Sequence, residues 1–156
     1  MGAGVARRTG RPFVDFDVEI ERREGVSVST IFRERGEAAF RTLELELTRE
    51  LAKRNGMILA PGGGWITVPG AMALLRPPAR MIYLRVSPDV AINRMGAGRA
   101  KRPLLRTPDP SAELMRLLEK REPLYLQADH VVDVDLLDLQ GVIALVGDLA
   151  TTFQAG

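Results

Sequence analysis

Cysteine is absent from this sequence, histidine occurs once, and aromatic residues make up only 5% of its 156 positions. Without thiols there is no disulfide framework and no thiolate metal site, and the lone His130 cannot build a histidine cluster, so structural zinc and redox chemistry are not expected. His130, at the start of a strand-like run, is expected to be structural. No apolar run approaches the roughly 18 residues needed to cross a bilayer. The N-terminus carries no apolar core followed by a small-residue cleavage site. A cytoplasmic address and no membrane partner are therefore expected. Lysine is scarce as well, because 19 of the 22 basic residues are arginine, whose planar fork suits carboxylates and phosphates. Basic and acidic residues alternate along the chain to a net charge of +2, without the basic stripe and interleaved aromatics of a polynucleotide binder. Small anions, not nucleic acid, are the expected ligands.

With 46% apolar and 27% charged residues, the chain has the composition of one globular domain, taken as residues 1–156. Short β-like runs alternate with helical patterns, which points to a three-layer α/β fold with a mostly parallel sheet. "RPFVDF" is a first strand. From Val28 to Arg54 the pattern is helical, with Ser27 as cap, Gly36 as interruption and Phe40, Leu43, Leu47 and Leu51 on one face. "GMILAPGGG" and "ARMIYLRV" read as central strands covered on both faces. A helix begins near Ser87, with a proline at its first position. The Gly-, Pro- and Arg-rich run at about 96–110 reads as a lid loop. Ser111 to Leu126 is helical, "HVVDVD" is strand-like, and Asp138 to Phe153 is a last amphipathic helix.

In parallel α/β folds ligands sit beyond the carboxyl ends of strands. Two strands end in unusual groups there: Asp15 and Asp17 on one, Gly62, Gly63 and Gly64 on the other. Carboxylates at such an end can hold magnesium through water and orient a hydroxyl nucleophile, and consecutive glycines let backbone N–H groups approach a polar ligand. Taken singly, each is ordinarily a solvated strand end or a tight turn. Arg41, Arg102 and Arg121 are each ordinarily surface ion pairs. Trp65 is either pocket wall or core, with core favoured.

Five stretches change those odds: "FVDFDVEIERREG", "IFRERGEAAFRTLE", "APGGGWIT", "RPLL" and "KREPLY". In this order and spacing, over Gly10 to Phe153, the chain resembles shikimate kinase. The resemblance implies a P-loop kinase fold and transfer of the ATP γ-phosphoryl group to the 3-hydroxyl of shikimate, with Mg²⁺. It implies Asp17 as the carboxylate that binds the shikimate hydroxyls and acts on the proton of the attacking one. Asp15 would reach Mg²⁺ through water. Arg41 and Arg121 would fork the substrate carboxylate, and Gly62, Gly63 and Gly64 would line the pocket. Arg102 would arrive with the lid to neutralise the transferring phosphoryl group, and Arg94 would lie near the adenine.

The family pattern G-x-x-x-x-G-K-[ST] is not met. "MGAGV" offers Gly2, Ala3 and Gly4 as the start of a phosphate-cradling turn, and no lysine or Ser/Thr follows Gly4 as the pattern requires. Against the family, the first, central strand is expected to be truncated. The strands flanking its place must then pair directly, borrow a strand, or leave exposed edges that favour association of a family otherwise monomeric. Four readings remain open on the sequence: a shikimate kinase, a non-catalytic shikimate-binding relic or partner module, a truncated fragment of the enzyme, and, as a weaker reading because paired Arg41 and Arg121 suit a cyclic carboxylate, another small-molecule kinase such as a gluconate kinase.

Overall fold

The computed structural model describes residues 1–96, 103–105 and 107–153. In chain order these form α1 (Gly2–Thr9), β1 (Phe13–Asp15), α2 (Phe16–Glu24), α3 (Val28–Leu51), β2 (Ile58–Ala60), α4 (Ala71–Leu75), β3 (Ile82–Arg85), α5 (Pro88–Met95), α6 (Pro110–Tyr125), β4 (His130–Asp133) and α7 (Leu139–Thr152). Short 3-10 turns occur at Trp65–Thr67 and Pro103–Leu105.

The long helix forms where its punctuation places it. Ser27 accepts a hydrogen bond from the Thr30 N–H at 3.1 Å, satisfying an orphan donor of α3. Gly36 breaks the helix internally with φ 81° and ψ 170°, so the Phe40 to Leu51 half takes its own direction. That half presents Phe40, Leu47 and Leu51 to a core shared with Phe16, Ile20, Ile31 and Trp65. The lone tryptophan is core: its Nε1 donates to Thr48 Oγ1 at 2.9 Å, and its ring meets Phe16 edge-on at 6.4 Å. A second, smaller core joins Val132, Val134 and Val142 beneath β3 and α7.

The front of the chain departs from the sequence expectation. "MGAG" does not make a turn; Gly2, Ala3 and Gly4 lie in α1, a helix that packs on α7. Gly4 sits so close to Ile143 that a Cβ would fall 2.4 Å from its Cδ1, and Arg8 pairs with Asp148 at 2.7 Å. The physical reason is local. "VARRT" continues without a breaker as far as Gly10, which adopts φ 66° and ends the helix, so the two glycines are drawn into its first turn. The strand "RPFVDF" is also shorter than expected, because Asp15 caps α2 by accepting the Val18 N–H at 3.2 Å.

The strands pair in parallel but in two separate pairs. β1 lies along β2 with Phe13 opposite Ile58 and Asp15 opposite Ala60, and β3 lies along β4 with Ile82 opposite His130 and Arg85 opposite Asp133. Among the described residues β2 and β3, expected as central strands, are hydrogen-bonded on one side only. Of the alternatives for the flanking strands, this fold shows unpaired edges, and a cavity of about 670 Å³ is lined by both. Of the expected lid at 96–110, residues 97–102 and 106, Arg102 among them, lie outside the described residues. No described helix is long and apolar enough to cross a membrane.

Candidate functional site

The glycine triplet follows directly on β2, and its residues are the organising centre of the site. A Cβ built on Gly64 would fall 1.9 Å from Arg41 Nη2, so only glycine lets the α3 guanidinium rest against this backbone. A Cβ on Gly62 would stand 3.3 Å from Asp17 Oδ1, and one on Gly63 would stand 3.6 Å from Arg121 Nη1. Three side chains far apart in sequence thus converge on one short stretch of main chain. Asp17 reaches it from the first turn of α2, Arg41 from the second half of α3, and Arg121 from the last turns of α6.

Arg41 is held from behind. Its Nη1 donates to Glu44 Oε2 at 2.6 Å and its Nη2 to Glu37 Oε1 at 2.8 Å, while its plane lies near the rings of Phe40 and Phe32. Burial opposes the charge of Arg41, but the two carboxylates outweigh it and its pKa rises above the ordinary arginine value. Glu44 is fully buried, and its Oε1 has no hydrogen-bond partner. Burial pushes the Glu44 carboxyl above the usual range, against the downward pull of Arg41. Asp17 adds to that rise and Arg121 opposes it, so all four charges share one electrostatic neighbourhood.

Tyr125 completes the wall. Its hydroxyl donates to the Gly63 carbonyl, and its ring stacks on Tyr83 at 4.8 Å. Burial raises its pKa, with Arg121 pulling the other way, so it stays a neutral donor at physiological pH. Neither Glu44 nor Tyr125 was singled out by the sequence. Glu44 carried a signal nonetheless: it stands three residues after Arg41, on the apolar face that holds Phe40, Leu47 and Leu51. A carboxylate there must find a partner or stay protonated.

The residues expected on the nucleotide side are placed differently. Asp15 spends a carboxylate oxygen on the α2 cap, and no group of three metal-ligating side chains occurs among the described residues. The N–H groups of Gly4 and Val5 donate to the Met1 carbonyl inside α1, and Gly2 and Gly4 pack against Phe13 and Ile143. The Gly4 and Val5 amides are therefore spent within α1, and this segment is helical where the family pattern has a glycine loop. Arg94 uses Nη2 to bridge the carbonyls of Val134, Asp135 and Leu137, pinning the chain after β4. His130 begins β4, with its ring 5.3 Å from that of Phe153.

A family model described as shikimate kinase matches residues 1–146. The shikimate kinase of Burkholderia pseudomallei strain 1710b is 40% identical over 147 residues, spanning 94% of this chain and 79% of the relative. That of Bordetella avium is 42% identical over 147 residues, spanning 94% of this chain and 70% of the relative. Among solved structures, a shikimate kinase from Acinetobacter baumannii in complex with shikimate superposes with a TM-score of 0.83 at 34% identity, covering 98% of this chain and 82% of that one. The shikimate kinase of Bacteroides thetaiotaomicron gives 0.84 at 31% identity, covering 98% and 89%.

Proposed function

Because this chain belongs to the shikimate kinase family, whose members are ATP-dependent phosphotransferases, we propose that its triglycine wall is the acceptor site of that reaction and binds shikimate. The observation that carries this is the convergence of Asp17, Arg41 and Arg121 on Gly62, Gly63 and Gly64. Arg41 and Arg121 grip the substrate carboxylate. A guanidinium fork meets a carboxylate with two parallel charge-assisted bonds, which fixes orientation as well as affinity. Asp17 accepts from the substrate hydroxyls, aligns the nucleophilic one and receives its proton as the new bond to phosphorus forms. Glu44 and Glu37 aim Arg41 and take no part in the chemistry.

The donor side does not fit its ligand in the same way. Phosphoryl transfer is catalysed chiefly by positioning and electrostatics, through a lysine, fixed amides and a metal ion. The helical Gly2, Ala3 and Gly4 do not cradle a triphosphate, and Asp15 alone does not build a magnesium site. No step is therefore derived through either group. Loss of even one preorganised donor costs roughly 3 kcal/mol of transition-state stabilisation. We accordingly propose shikimate binding at the glycine wall as the property that the described residues carry, with only weak ATP binding by Gly2, Ala3 and Gly4 themselves. Arg94, and Arg102 outside the described residues, are the side chains assigned to the nucleotide.

Calorimetric titration of shikimate and of ATP–Mg²⁺, with a coupled assay on the same sample, tests both halves. Shikimate binding without ATP binding is the expected result. A chain that is folded yet binds no shikimate overturns the acceptor-site assignment. Micromolar ATP affinity with turnover overturns the donor-side account.

A further inference from the structure

The two arginines assigned to the substrate carboxylate are supported unequally. Arg41 donates to Glu44 and to Glu37, which hold its guanidinium from behind. Arg121 forms no ion pair with a carboxylate among the described residues. An unsupported arginine samples many rotamers, and freezing it when a ligand arrives costs affinity. A partner other than a carboxylate must therefore aim Arg121, and the last turns of α6 supply one.

Tyr125 follows Arg121 by one helical repeat, so the two side chains leave the same face of α6. Both arrive at Gly63: a Cβ built there would stand 3.3 Å from Tyr125 Oη and 3.6 Å from Arg121 Nη1. The hydroxyl is committed to this place, because it donates to the Gly63 carbonyl. Its ring is committed as well, stacked on Tyr83 with centroids 4.8 Å apart and 22° between the planes. A phenol oxygen that has given its one proton still accepts, whereas a guanidinium only donates. Chemistry thus sets the direction of the chain, from Arg121 N–H to the Tyr125 oxygen and from Tyr125 O–H to the Gly63 carbonyl. Burial raises the phenol pKa, and Arg121 opposes that rise through its charge and as a donor to the same oxygen. Phenylalanine would keep the stack on Tyr83, so packing by itself gives no reason for a hydroxyl here.

We infer that Tyr125 is a positioning residue of the acceptor site, whose hydroxyl ties the Arg121 guanidinium to the Gly63 backbone and so aims it at the substrate carboxylate. The inference rests on the acceptor-site reading above. It makes the two arms of the clamp different in kind, with Arg41 held by carboxylates and Arg121 by a neutral phenol. A further carboxylate behind Arg121 would repel the anion that the clamp must bind, and a phenol does not. Arg121 therefore keeps its full charge for the ligand. Because hydrogen bonds in series polarise one another, the tether also stiffens the glycine backbone against which the ligand rests.

Tyr125→Phe removes the hydroxyl and keeps the ring. It is compared with Arg121→Ala and with the double variant by calorimetric titration of shikimate, with melting temperatures recorded alongside. Tyr125→Phe should weaken shikimate binding at least about tenfold, or 1.4 kcal/mol, with melting nearly unchanged. In the Arg121→Ala background the same change should cost less than about twofold, because the tether then has nothing to aim. Equal losses in both backgrounds, or undiminished affinity in Tyr125→Phe, overturn the positioning role. A folded wild-type chain that binds no shikimate overturns the acceptor-site reading instead, and the tether is then decided without ligand. Nitrogen NMR of the arginine side chains in the wild-type chain should show restricted rotation of the Arg121 guanidinium, released in Tyr125→Phe. A guanidinium that already rotates freely in the wild-type chain overturns the tether, and that result needs no variant to fold.

Discussion

Arg41 earns its place through what stands behind it. Replacing it with alanine should weaken shikimate binding by about 2 to 5 kcal/mol, since a desolvated charge pair loses one partner. Lysine should not rescue it, because a point charge cannot reproduce the fork. Calorimetry on the two variants checks both statements, and an unchanged dissociation constant removes the carboxylate clamp. Gly64→Ala tests the same clamp from the other side. Its Cβ would collide with Arg41 Nη2, so affinity should fall at least about tenfold, or 1.4 kcal/mol, with the melting temperature nearly unchanged. Sequence could name Asp17, Arg41 and Arg121 because each stands in a recognisable stretch. It could not show that they meet on one glycine backbone, which depends on the kink at Gly36 and the return of α6. Glu44 escaped because a single carboxylate in "RTLELE" looks no different from its exposed neighbours until its burial is known.

At the scale of elements, charge placement sets an acid limit that can be worked out. Glu19 in α2 pairs with Arg22 and Arg23, and Arg23 continues to Glu50 on α3. The hydrogen bonds from Arg22 and then Arg23 lower the Glu19 carboxyl to about 2. A folded pKa below the unfolded one means that the stabilisation is complete above the ordinary value of 4.5 and is lost as pH falls through about 2. The pairs are exposed, so the contribution is at most about 1 kcal/mol. In Glu19→Gln, the slope of stability against pH over that window should flatten, as denaturant titrations at stepped pH would reveal. Glu44 has the opposite sign: its raised carboxyl favours the fold most below its unfolded pKa, and that benefit is lost as pH rises through the folded value. The helices α3, α5, α6 and α7 were legible because caps and apolar spacing lie within each segment. α1 and α2 were not. Their starts depend on Asp15 choosing a cap over a strand and on two glycines packing against Phe13 and Ile143, neither of which is written locally.

For the whole molecule, the parallel α/β order was legible, while the split of the sheet was visible only as a set of alternatives. Strand partners are long-range, and no local pattern distinguishes a strand paired on both sides from one paired on a single side. The proposed acceptor wall lies to one side of this seam, where Asp17, Arg41 and Arg121 meet Gly62, Gly63 and Gly64, and the described front end forms a helix in place of a glycine loop. Placing an apolar strand and a complete glycine loop with Lys and Ser/Thr ahead of Val5 should therefore bring magnesium-dependent phosphorylation of shikimate. Asp17→Asn in that longer chain should remove most of it, by roughly 10² to 10⁴-fold for loss of a positioned base. A chain so extended that binds ATP, folds, and still leaves shikimate unphosphorylated would contradict the role given to the glycine wall.

Trp65 gives all of this a means of observation. It is the sole tryptophan, it is buried, and it follows Gly64 without an intervening residue. Its emission is therefore a single-site signal, free of the mixing that several indoles would produce. The indole N–H is tied to Thr48 on the helix that carries Arg41. A ligand that pairs with Arg41 at the wall should alter the field at the ring and hence the intensity or wavelength of its fluorescence, without any label. Loss of the fold should shift the same band to the red as water reaches the indole. Recorded along a shikimate titration and then along a urea ramp, one native chromophore separates occupancy of the pocket from integrity of the core beneath it.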